Sequence, residues 1–118
     1  MTLGALVDAR IGALAGGRVF CAQAVEMPAT PYIVWTPISD VPNTTHDAYR
    51  DQSTALVQVN IYAETAAEAD EVRTEVVDAM CDGHDDAQAI DAGRMTFEDA
   101  ISPSLFNAQA DIEITYAP

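Results

Sequence analysis

The chain has no lysine, and its five basic residues face 19 acidic ones, for a formal net charge of -14 over 118 residues. Gripping a nucleic-acid backbone requires clustered cations, so this balance argues against specific binding of DNA or RNA. Such an acidic surface resists nonspecific association and repels polyanions. Long apolar runs are also missing. None approaches the ~20 residues of a membrane-spanning helix, so no membrane partner is expected. The opening Met1-Thr2-Leu3-Gly4-Ala5-Leu6 carries no basic leader and Asp8 interrupts it, so no signal peptide is expected. Cysteine is limited to Cys21 and Cys81, and a chain that is 49% hydrophobic needs no covalent staple. The pair is read as free thiols made in a reducing cytosol. Neither G-x-x-x-x-G-K-[ST] nor G-x-G-x-x-G occurs, so no phosphate-cradling loop is recognisable.

What is present begins with a chain of single-domain length, able to bury roughly two-thirds of its unfolded surface. Its apolar content separates it from a disordered acidic tail. The most informative stretch runs from Ser53 to Gly83. In Ala55-Val57-Val59-Ile61-Ala63 every second residue is apolar, with Gln58 and Asn60 on the opposite side, which predicts a strand with one buried face. Thr65-Ala66-Ala67-Glu68 follows as a capping box, in which the Thr65 hydroxyl accepts from the Glu68 amide. Ala69, Val72, Val76 and Met80, with Ala79 beside them, then recur at helical spacing. Gly83 provides the stop as a left-handed C′ residue.

Upstream, Leu3, Leu6, Val7, Ile11 and Leu14 form another helical stripe, ended by Gly16-Gly17. Residues 18–22 are a short extended piece, and Pro28 and Pro31 punctuate the loop after it. Residues 32–39 are rich in aromatic and β-branched types and predict a strand, with Pro37 marking an edge position or a bulge. The polar 40–52 segment reads as a loop or extended hairpin tip. Beyond Gly83, His84-Asp85-Asp86 forms a solvated turn, and a weaker strand is placed at Arg94–Ile101, broken by Ser102-Pro103-Ser104. Residues 108–116 alternate, with Ala108, Ala110, Ile112, Ile114 and Tyr116 on one face. The expected fold is α+β, a mostly antiparallel four- to five-stranded sheet with two helices packed on one face, in one domain.

Chemistry is scarce. Cys81-x-x-His84 has a metal-like spacing, but a structural zinc site wants four ligands and the remaining Cys and His are Cys21 and His46. Cys81 reads better as a buried hydrophobe or an idle thiol. Asp82, Asp85 and Asp86 lack the spacing of a calcium loop. His46, Asp47, Arg50 and Asp51 resemble an acid-base cluster, yet a polar loop preorganises poorly and no nucleophile elbow is nearby. Trp35 and Tyr32 serve as core or interface anchors, or as a stacking platform for a ligand. No enzyme, cofactor or metal is expected. An edge-like strand, a projecting polar loop and a two-sided C-terminal strand suit a self-assembling subunit. A small acidic ligand-binding or enzyme-accessory domain is the alternative of a different class.

Several strings in this order resemble a known family. Gly17-Arg18-Val19-Phe20 follows a short helix, and Pro31-Tyr32-Ile33-Val34-Trp35 leads to Ile38-Ser39. Val57-Gln58-Val59-Asn60-Ile61-Tyr62-Ala63 runs directly into Glu64-Thr65 and an alanine- and glutamate-bearing helix. An alternating strand, Asp111 to Tyr116, closes the pattern. Together these resemble the small tail-completion, or tail terminator, proteins of long-tailed bacteriophages. The resemblance implies a non-enzymatic virion protein assembled in the host cytoplasm. It would form a homo-oligomeric ring, expected to be a hexamer, on the last tail-tube ring. The ring would end tube polymerisation and offer the docking face for the head-tail connector, with DNA passing through its lumen. A connector or minor tail component is the neighbouring alternative. His46, Asp47, Tyr49, Arg50 and Asp51 of the polar loop are the expected interaction residues.

Overall fold

The computed structural model describes residues 2–22, 29–42, 52–98 and 105–117, with backbone alone for 92–98. The order of elements is the one the periodicities predict. Helix α1 (Leu3–Ile11) is followed by strands β1 (Val19–Cys21), β2 (Tyr32–Pro42) and β3 (Ser53–Ala63). Helix α2 (Ala66–Cys81) leads to β4 (Ala87–Glu98) and β5 (Leu105–Tyr116). The strands form one sheet in the order β1-β2-β3-β5-β4. Among the described residues only β1 and β2 run parallel, and every other neighbouring pair is antiparallel. This is the α+β, mostly antiparallel architecture expected.

The alternation in β3 does what its period requires. Ala55, Val57, Val59, Ile61 and Ala63 are all fully buried, and Gln58 and Asn60 sit partly exposed on the other side. Each buried position lies opposite another apolar residue on β5, with Val57 against Ile112 and Ile61 against Ala108. Helix α2 lays Ala69, Val72, Val76 and Met80 on this face. It crosses over β5 to connect β3 with β4, which run in the same direction because each is antiparallel to β5. Leu3, Val7 and Ile11 of α1 complete the core beside α2.

The ends of the elements carry the corrections. The Thr65 hydroxyl accepts from the Glu68 amide at 3.1 Å, as the capping box requires. Thr2 caps α1 in the same way through the Ala5 amide. Helix α1 stops at Ile11 with Gly12 as its cap, one turn before the glycine pair. A 3-10 turn, Leu14–Gly17, follows, with Ala15, Gly16 and Gly17 all at positive φ. The glycines therefore reverse the chain, and Leu14 reaches the core from that turn rather than from the helix.

Gly83 is the left-handed C′ residue expected after the C-cap Asp82, and it also closes a turn. Asp82 is extended at φ -69°, ψ 123°, Gly83 has φ 76°, and the His84 amide donates to the Cys81 carbonyl at 3.0 Å. That is a type II turn, whose third position requires a left-handed residue. A Cβ at Gly83 would meet nothing within 4 Å, so substitution is opposed by conformation alone. Gly83→Val is expected to cost about 1–2 kcal/mol, read by urea denaturation. Gly83→Asn should recover most of that loss, because asparagine tolerates this region; equal losses for the two would show that the turn does not control the cost.

Two strands are longer than their sequences suggest. Strand β2 continues past Ser39 to Pro42, taking the start of the 40–52 segment into the sheet. Its register shifts between Pro37 and Ser39, so the bulge expected at Pro37 is present, and beyond β1 the same stretch is also an edge. Strand β4 begins at Ala87 instead of Arg94. Residues 87–93, AQAIDAG, have weak strand propensity, and pairing with β5 imposes the strand on them through two register shifts.

Candidate functional site

The described residues present surfaces, not an enclosed pocket, and they are best taken by side of the sheet. The helix side is filled. The open side carries a row of polar residues: Thr54, Gln58 and Asn60 on β3, and Asn107, Gln109, Asp111, Glu113 and Thr115 on β5, all partly exposed. Their side chains are tied along the strands, Asn60 to Gln58 and Gln109 to Asp111, at 3.2 Å each. At one end of this face Tyr32 stacks on Tyr62 with ring centroids 5.0 Å apart, and Phe20 meets Tyr32 edge-on. Burial pushes the Tyr32 hydroxyl's pKa up. Trp35 lies on the opposite side, inside the core. Tyr32 and Trp35 are an odd number of residues apart, so one strand cannot place both on a common stacking surface.

At the other end of the sheet is a groove of about 480 Å³, lined by Gln52, Asp85, Asp86, Ala87, Gln88, Glu113 and Thr115. Its carboxylates do not share one role. Arg10 Nη2 reaches Asp86 Oδ2 at 2.9 Å, and Arg10 Nη1 donates to the Met80 carbonyl at 3.0 Å. The hydrogen bond from Arg10 holds the Asp86 carboxyl below the ordinary aspartate range, against the opposing effect of burial. Asp85 remains exposed. Among the described residues no three His, Cys, Asp or Glu side chains converge as a metal site. Cys81 packs partly against the core, where burial pushes its thiol pKa up, and both cysteines are free. On β5, Tyr116 donates to Asp40 Oδ2 at 2.6 Å, tying the last strand to the far end of β2, and this bond raises the tyrosine pKa.

Charge is distributed in keeping with an acidic exterior. Helix α2 and its flanks expose Glu64, Asp70, Glu71, Glu75, Asp78 and Asp82. The arginines with described side chains are committed locally: Arg10 as above, Arg18 to the Pro31 carbonyl and Arg73 to Asp70. None of these three forms a cationic patch for phosphate.

The edges of the sheet are its most distinctive surface. Strand β1 covers β2 only across Ile33–Trp35. Among the described residues no strand pairs with the outer edge of β2 from Thr36 onward, nor with the outer edge of β4. Exposed aliphatic side chains mark both edges, Ile38 and Val41 on β2 and Ile90 on β4, each more than half accessible.

The sequence-based interaction residues His46, Asp47, Tyr49, Arg50 and Asp51 lie outside the described residues. Their segment joins the ends of β2 and β3, where Pro42 pairs with Ser53. Sequence reasoning did not find the Arg10–Asp86 and Asp40–Tyr116 pairs, each separated by 76 positions; no local pattern signals them. The exposed aliphatics at strand irregularities were findable, since Ile38 follows Pro37.

A search of curated proteins gave no match. A family model, described as tail completion protein gp17, matches residues 4–108. The match runs from the first turn of α1 through β4 and ends at Ala108, in the first third of β5. The chain belongs to this family of phage tail completion proteins, which places it in the virion tail as a structural component.

Proposed function

We propose that this chain closes into a ring, a hexamer, on the last ring of the tail tube, where it ends tube polymerisation and presents the surface to which the filled head docks. The observation that carries this reading is the family match from α1 into the start of β5, on a sheet that, among the described residues, leaves two different edges open. A ring built head to tail consumes one edge of each kind per subunit and leaves none free, while its two faces stay different. Such an object caps a tube on one side and receives a connector on the other. DNA would pass through the lumen, and a chain with net charge -14 offers it repulsion rather than adhesion.

The segment between β2 and β3, with His46, Tyr49 and Arg50, projects in this reading from the end of the sheet to a ring neighbour or to the tube. Removing its tip is expected to leave a folded monomer that no longer forms rings. Solution mass across a concentration series, with negative-stain images, reads the result; undiminished rings would defeat that role. The capping function is tested by adding purified protein to polymerising tail-tube subunits. Tubes should end early, bearing one extra ring. An unchanged length distribution at excess protein would overturn the proposal.

A further inference from the structure

We infer that the outer edges of β2 and β4 are the two halves of one contact between copies of this chain, with Ile38 and Val41 of one subunit against Ile90 of the next. This rests on the ring reading and names the surfaces that close the ring. The register locates them. Pro37 pairs with Val57, Val57 with Ile112, and Ile112 with Ala89, so one row crosses β2, β3, β5 and β4. Ile38 directly follows Pro37, and Ile90 directly follows Ala89. Because β4 runs against β2, the two exposed isoleucines stand one residue to either side of that row, on opposite edges of the sheet. Each falls within a register shift, where the local kink re-aims a side chain.

Strand direction favours a head-to-tail order. Strand β5 runs with β2, and β4 runs against both. Placing the β4 of one copy beside the β2 of the next thus continues the antiparallel alternation, the more stable arrangement. Like-to-like contacts would use one edge, stop at a dimer and leave the other apolar edge in water. Pro37 and Pro42 have no amide to donate, so this edge is a poor template for an arbitrary strand. Recognition falls instead to the side chains turned outward. The open part of β2 sets the available area, because β1 covers the rest. Seven residues, 36–42, at about 3.3 Å each give roughly 23 Å of edge. With a molecular thickness of 23 Å that is on the order of 500 Å² per partner, or about 1,000 Å² in all, the lower limit of a specific protein interface. Short β1 fits the same scheme, because it covers the half of β2 away from Ile38.

The test is cross-linking in the assembled protein. In a Cys21→Ser background, the double variant Ile38→Cys/Ile90→Cys is treated with a short bis-maleimide. A ladder of covalent oligomers ending at the ring size is expected, and neither single variant should give one. In the otherwise natural chain, Ile38→Glu and Ile90→Glu should each raise the concentration needed for half-assembly about tenfold or more. Thermal midpoints at concentrations where the natural chain is monomeric should stay unchanged, because both sites are exposed. Rings that persist in the glutamate variants, with no ladder from the double cysteine variant, would overturn this contact and leave the ring reading standing. Absence of rings from the natural chain, free and on tail tubes, would overturn the ring reading and this contact with it.

Discussion

Ile61→Ala is expected to lower the unfolding free energy by about 2–5 kcal/mol, a large share of the roughly 5–15 kcal/mol that holds a domain of this kind together. Ile61 is fully buried near the end of β3, flanked across the sheet by Ile33 on β2 and Ala108 on β5. Its surroundings decide where in that range the loss falls. Much of the adjoining core consists of alanine: Ala63, Ala69 and Ala108 are all buried in it. Alanine has no rotamer with which to fill a void, so the space left by the isoleucine closes only if the backbone of α2 moves. The cost belongs near the upper end, since it grows with the cavity that remains. Ile90→Ala is the control. It removes the same atoms from an exposed site and should change stability by no more than about 0.5 kcal/mol. Urea denaturation separates the two, with a shifted midpoint and unchanged slope for Ile61→Ala. A loss below about 1 kcal/mol would mean that the core relaxes around the deletion.

The same residues explain how much of the fold was legible in the sequence. β3 and β5 could be recognised because each buries one full face under a helix, which forces alternation into their composition. α2 was equally plain, with a cap at Thr65 and a stripe ending at Met80. The first half of β4 was hidden because an edge strand is held mainly by its one neighbour. Pairing with Glu113 and Ile112 places Gln88 and Ala89 in the sheet, although neither residue has a strong preference for it. Gly83 was recognised as a stop, but one residue cannot show whether it closes a helical cap or a type II turn; the extended Asp82 decides that. The surface reading was only partly legible. Assembly leaves a signature of open edges and exposed aliphatics, and Ile38 and Ile90 acquire that meaning only once the register places them on either side of one row at opposite edges. Long-range polar pairs such as Arg10–Asp86 leave no periodic trace.

Arg10→Met is expected to destabilise the protein by about 2 kcal/mol, the scale of a hydrogen bond to a charged group. The argument starts from α2, which has no basic residue in its last turn. Its terminal carbonyls and the negative end of its dipole are served from α1, where the Arg10 guanidinium meets the Met80 carbonyl and the Asp86 carboxylate. Arg10 is only 10% exposed while Asp86 is 38% exposed. Water therefore screens the ion pair, and the greater part of the loss should come from the carbonyl contact. Arg10→Lys retains the charge but not the two-pronged geometry, so its loss should be smaller. The pair also has a pH signature. Asp86 has a lowered pKa in the folded state, so its contribution is fully present above the unfolded value and disappears as pH falls through the folded one. On acidification below about pH 4 the natural chain should lose stability more steeply than Arg10→Met, and the gap between the two curves should narrow to the share of the carbonyl contact. Other carboxylates titrate in the same window, and with a net charge of -14 their neutralisation also relieves repulsion. Those effects are common to both proteins, so the difference between their thermal midpoints isolates the pair. Parallel curves down to pH 2 would show that Arg10 acts on the helix end alone and draws no stability from Asp86.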